Sequence, residues 1–123
     1  MPFYDISRNN QQETITQLEQ ALYNHRQWHS AIVRTLICQL APDRHDVMTD
    51  AHRECRFGQW YYNYAAEKLH RHPGFIAIGE VHERMHHLAS SLLNSSHIST
   101  DDYDLFANTL ERLQLEILTL KRE

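Results

Sequence analysis

The sequence predicts an all-α fold, a four-helix antiparallel bundle with a short connecting or extra helical turn, and three observations carry that reading. Leu, Gln, Glu and Arg are abundant, while glycine and proline number three each in 123 residues, so helix formers dominate and turns are scarce. Apolar residues recur at alternating steps of three and four, the spacing of one helix face. Breaking residues at Pro42-Asp43, at Arg71-His72-Pro73-Gly74 and from Asn94 to Ser99 divide the periodic stretches into four. A chain of this length makes one domain, 1–123, with a core of its own and no room for a second, catalytic domain.

Residues 1–10 are polar, carry Pro2 and show no periodicity, and read as a lead-in. The first helix runs from about Gln11 to Leu40, with Ile15, Leu18, Leu22, His25, His29, Ile32, Leu36 and Leu40 on its inner line. Two histidines therefore face the core. Ala41 to Thr49 is a polar loop in which Asp43 and Asp46 offer turn or cap chemistry. The second helix starts near Asp50 to Arg53 and continues to about His70. Cys55 and Gly58, three apart, share its inner face, so the missing side chain at Gly58 lets a neighbouring helix approach the thiol. Trp60 and the run Tyr61 to Tyr64 are packing aromatics.

The third helix, from about Phe75 to Asn94, sets Ile78, Val81, Met85 and Ala89 beside His82 and His86. Ser99-Thr100-Asp101-Asp102 opens the fourth with a capping residue and first-turn acids. It then shows a heptad seam at Phe106, Leu110, Leu113, Ile117 and Leu120, and a second apolar line at Leu105, Leu115 and Leu118. One line faces the core. The other is left as an exposed strip, which predicts a homodimer.

The formal net charge is −4, and Lys and Arg are dispersed, so neither nucleic acid nor an anionic membrane is an expected partner. The N-terminus lacks a cationic start followed by an apolar core, and no apolar run approaches a membrane span. A cytoplasmic protein is expected, in which Cys38 and Cys55 are free thiols or ligands.

Ten histidines are the anomaly. His82 and His86 lie one turn apart and project together as a bidentate clamp, Cys55 supplies a thiolate, and His25 is the best fourth donor. The His-x-x-x-His spacing alone is weak, because ten histidines give roughly one such pair by chance, and His25 with His29 is another. His29, His52 and His87 stand close enough in sequence to compete, His52 first among them, since it precedes Cys55 by one turn. Imidazoles and a thiol buried with few inner acids each cost a few kcal/mol unless satisfied. A cation satisfies them. Three imidazoles and a thiolate suit tetrahedral Zn²⁺ and leave no position for an activated water, so a structural or regulatory site is expected and an enzyme is not.

His25-Arg-Gln-Trp28, Cys55-Arg-Phe-Gly58-Gln-Trp60, Pro73-Gly-Phe75 and His82-Glu-Arg-Met-His86 resemble, in order, the motifs of the chemoreceptor zinc-binding (CZB) domain. The resemblance implies a four-helix bundle holding one zinc through His25, Cys55, His82 and His86. It also implies an output, either a bacterial chemoreceptor or a diguanylate cyclase. A domain that starts near Met1 and whose last helix runs off at Glu123 is similar to zinc-inhibited diguanylate cyclases, in which a dimeric CZB domain precedes the catalytic one. The expected output domain lies beyond residue 123, since no Gly-Gly-(Asp/Glu)-Glu-Phe motif is present. A redox sensor working through Cys55 and zinc in a chemotaxis-type receptor, and a purely structural helical dimerisation module, are the alternatives.

Overall fold

Helix α1 occupies Arg8–Ile37 in the computed structural model, which describes residues 8–48, 50–65, 69 and 71–122. The lead-in at 1–7 lies outside the described residues. Leu18, Ala21, His25 and Ile32 form the buried line of α1, flanked by the half-buried Ile15, Leu22, Trp28, Val33 and Leu36. The helix stops three residues short of Leu40, because Gln39 takes a left-handed conformation (φ 54°) and the Leu40 N–H turns back to the Thr35 carbonyl at 3.0 Å. That six-to-one bond closes the end as a Schellman turn and leaves Leu40 exposed.

A single 3₁₀ turn, Arg44–Val47, follows, with Asp43 accepting from the His45 N–H at 2.8 Å as its cap. The second helix, expected to be continuous, is broken. It consists of α2 (Ala51–Glu54), α3 (Arg56–Trp60) and a π-helical turn at Tyr61–Ala65. Cys55 sits at the break, extended at φ −70° and ψ 159°, as C-cap of α2 and N-cap of α3. Gly58 is required by this break, not by a neighbouring helix: a Cβ there would run into the backbone carbonyl of His52. The expected end of this segment near His70 falls largely outside the described residues.

Helix α4 (Pro73–Leu93) begins with Pro73 in its first turn and His72 as cap, whose Nδ1 accepts from the Gly74 N–H at 3.1 Å. Helix α5 (Thr100–Lys121) starts with a reciprocal capping box. Ser99 Oγ accepts from the Asp102 N–H at 3.2 Å, and Asp102 accepts from the Ser99 N–H at 2.9 Å.

Contacts give the directions. His25 lies against His82 and His86, and Leu36 shares a cleft with Leu92, so α1 and α4 run the same way. Lys121 pairs with Glu19 at 3.6 Å while Phe106 meets Trp28 and His29, so α5 runs opposite to α1. Cys55 faces His82 and Tyr61 stacks on Phe75, which makes the broken segment antiparallel to α4. The result is an up-down-up-down bundle. Phe75, Ile78, Met85, Ala89, Phe106, Leu113, Ile117 and Leu120 fill the α4–α5 half of its core. Leu105, Leu115 and Leu118 remain 37–53% exposed, as the second apolar line of α5 anticipates.

Candidate metal centre

Midway along the bundle, four side chains converge from three segments. His25 Nε2 lies 3.1 Å from His82 Nε2, 3.4 Å from His86 Nε2 and 3.9 Å from Cys55 Sγ, and Sγ lies 3.3 Å from His82 Nε2. All four donor atoms fall within 4.8 Å of one another. A tetrahedral ion with bonds of about 2.0–2.1 Å to nitrogen and about 2.3 Å to sulfur sets its ligands about 3.3 Å apart (N to N) and about 3.6 Å apart (N to S). The measured separations scatter around both values.

Each donor is aimed by local chemistry. His25 Nδ1 donates to the Ala21 carbonyl at 2.7 Å, one turn earlier in α1, so its lone pair is on Nε2, which faces the cluster. His82 and His86 present the same edge because they are four apart on α4, and their Nδ1 atoms are buried without hydrogen-bond partners. Cys55 is aimed by the helix break. Its Sγ accepts from the Gly58 N–H at 3.3 Å, the contact an N-cap makes, so the thiol that caps α3 also points at the imidazoles.

The surroundings are aromatic. Trp28 lies against His86 with ring centroids 4.4 Å apart and donates its indole N–H to Asp46 at 3.1 Å, tying the 3₁₀ turn to the cluster. Phe57 packs edge-on against His82 at 4.8 Å. A cleft between α1 and the 3₁₀ turn, lined by Asn24, Trp28, Asp46 and Glu54, reaches His25, Cys55 and His86.

Burial dominates the electrostatics. It lowers the pKa of His25, His82 and His86, with the charges of neighbouring histidines adding to the effect at His82 and at His86, which falls to about 3. The imidazoles are therefore neutral at ordinary pH, as ligation requires. Burial also pushes the Cys55 thiol up, against the opposing Gly58 N–H bond. A cation held between these donors would reverse that balance, with His25, His82 and His86 giving it their lone pairs and Cys55 giving up its proton.

The competing histidines go elsewhere. His29 stacks on Phe106 at 4.1 Å, and His52 lies on the far side of the Cys55 break beside Glu83 and His87. Sequence reasoning passed over Asp46 as the anchor of Trp28, and Glu83 altogether. Trp28, three residues after His25, was a signal that an aromatic would flank the site; nothing in the sequence pointed to Asp46, which reaches Trp28 only through the fold.

The family model of the chemoreceptor zinc-binding domain matches residues 25–93, more than half of the chain and a span that contains all four converging residues. The chain belongs to that family. As a CZB domain it binds zinc, and the donor set of this chain fits the ion in type and spacing. No curated protein and no solved structure matches the chain. The CZB match ends at Leu93, so α5 lies outside it. No helix among the described residues is long and apolar enough to cross a membrane.

Proposed function

We propose that His25, Cys55, His82 and His86 hold one Zn²⁺, and that its occupancy regulates an output domain C-terminal to residue 123, inhibiting cyclic di-GMP synthesis by a diguanylate cyclase. The observation that carries the metal reading is the convergence of four donors from α1, the α2–α3 break and α4 at tetrahedral spacing. Four protein ligands close the coordination sphere, which suits regulation and not hydrolysis. The cyclase is supported by the resemblance of the ordered motifs. A route for the signal is supported by packing: α4 carries two of the ligands and packs along α5, which leads toward the C-terminus. The working form on this reading is a cytoplasmic homodimer, because two catalytic domains must meet for cyclic di-GMP synthesis in the enzymes the chain resembles.

Elemental analysis of purified protein tests the first part and should give about one tightly held zinc per chain. Zinc-free protein after loading without chelator overturns it. For the second part, cyclic di-GMP synthesis by the full-length protein should rise on chelation and fall on zinc addition. Synthesis indifferent to zinc removes the regulatory role and leaves the metal structural.

The cleft that reaches Cys55 favours a second reading, in which an oxidant is the signal. A peroxide would take the Cys55 thiolate to sulfenic acid with release of hydroxide, and the weakened ligand would release zinc. Peroxide-driven zinc release that persists in Cys55→Ser protein excludes it.

A further inference from the structure

A second group of metal-ligating side chains lies on the other side of the Cys55 break. His52 from α2 and Glu83 and His87 from α4 bring one imidazole nitrogen each and one carboxylate oxygen within 4.8 Å of one another. His52 is 4% exposed, and its Nδ1 is buried without a hydrogen-bond partner. Glu83 Oε1 pairs with His52 Nε2 at 3.2 Å. That separation also suits two ligands of one ion, since ligand atoms about 2.0–2.2 Å from a metal sit about 3.3 Å apart. The His87 ring stands edge-on to His52 with centroids 5.2 Å apart, completing the triangle.

The arrangement repeats the first centre in shifted register. Cys55 with His82 and His86 becomes His52 with Glu83 and His87: three residues back on the broken segment and one residue on along α4. The four-residue spacing on α4 is kept, so the second pair also projects from one face, about 100° around the helix. Arg53 does not fill the space, because its guanidinium lies over the Tyr62 ring at 4.4 Å.

We propose that His52, Glu83 and His87 form a second metal site, for a divalent transition-metal ion such as zinc or cobalt. Two imidazoles and a carboxylate leave at least one coordination position to water, and the Glu83 and His87 side chains open to solvent, so the site exchanges its ion more readily than the first. Because adjacent residues of α4, His82 beside Glu83 and His86 beside His87, serve the two sites, filling one constrains the helix that presents the other.

Cobalt(II) titration of the whole chain distinguishes the sites, since thiolate coordination adds a sulfur-to-metal charge-transfer absorption and the second site has no sulfur. The expected result is two cobalt ions per chain, the later one adding no charge-transfer intensity. Glu83→Gln and His87→Ala, both changes at open side chains, should each weaken the later ion by more than the roughly 10–100-fold that loss of a supporting group costs a metal site. They should leave the charge-transfer band and the helical circular dichroism in place. A parent protein that takes up no second ion, or a second ion whose affinity is unchanged in both variants, overturns the proposal.

Discussion

Cys55 is both a helix cap and a member of the His/Cys cluster. Its sulfur accepts the Gly58 N–H while lying 3.3 Å from His82 Nε2, so the bend that ends α2 is also what aims the thiol. Cys55→Ser keeps a capping oxygen but removes the soft donor. It is expected to hold the bend and lose zinc affinity by more than tenfold, read by competition with a zinc chromophore, whereas unchanged affinity would remove Cys55 from the ligand set. His25 is tested in the same assay. His25→Ala should lose zinc while His29→Ala, whose ring stacks on Phe106 away from the cluster, should not, and the reverse ranking would show that the wrong histidine of α1 has been assigned.

At the scale of elements, the broken segment is the part that depends on the site. Helices α4 and α5 bury long apolar stripes against each other, a source of stability that needs no metal. Helices α2 and α3 are four and five residues long, too short to stand without tertiary contacts, and their junction is the Cys55 donor. Chelation should therefore leave most of the helical circular dichroism and raise amide exchange in 51–65 well above that in 100–121. Uniform loss of helix on chelation would instead make zinc the staple of the whole bundle. Gly58→Ala probes the same junction without touching a donor. Its Cβ meets the His52 carbonyl, so a backbone shift is needed, and the expected cost is about 1–3 kcal/mol in urea unfolding of the zinc-free protein.

For the molecule as a whole, assembly rests on α5. Phe106, Leu113, Ile117 and Leu120 are buried in the bundle, while Leu105, Leu115 and Leu118 face out at 45%, 53% and 37% exposure. Two-fold pairing is the commonest way to cover such a strip. Light scattering at micromolar concentration should give twice the 14.6 kDa chain mass, and Leu115→Glu with Leu118→Glu should halve it at unchanged zinc content. A monomeric parent would mean that the strip is not a dimer surface of this domain.

Local chemistry written along the chain determined the helical class, the stripes of α1, α4 and α5, the Ser99 cap and the paired presentation of His82 and His86, because each depends on residues within a turn or two of one another. The motif order also named the four residues that the fold brings together. Periodicity, however, carried α1 through to Leu40 and a helix straight through Cys55, since neither a left-handed Gln39 nor an extended Cys55 disturbs the pattern of apolar residues. Spacing and periodicity by themselves left open which histidines meet, and the tertiary structure is what places them. His25 and His29 are equivalent on paper, one turn apart on the same line, yet one turn of rise carries His29 onto Phe106 and leaves His25 opposite His82 and Cys55. The meeting of His52 with Glu83 and His87 was equally invisible, because it depends on the bend at Cys55 setting α2 against a particular turn of α4, and packing between distant segments leaves no spacing in the sequence to read.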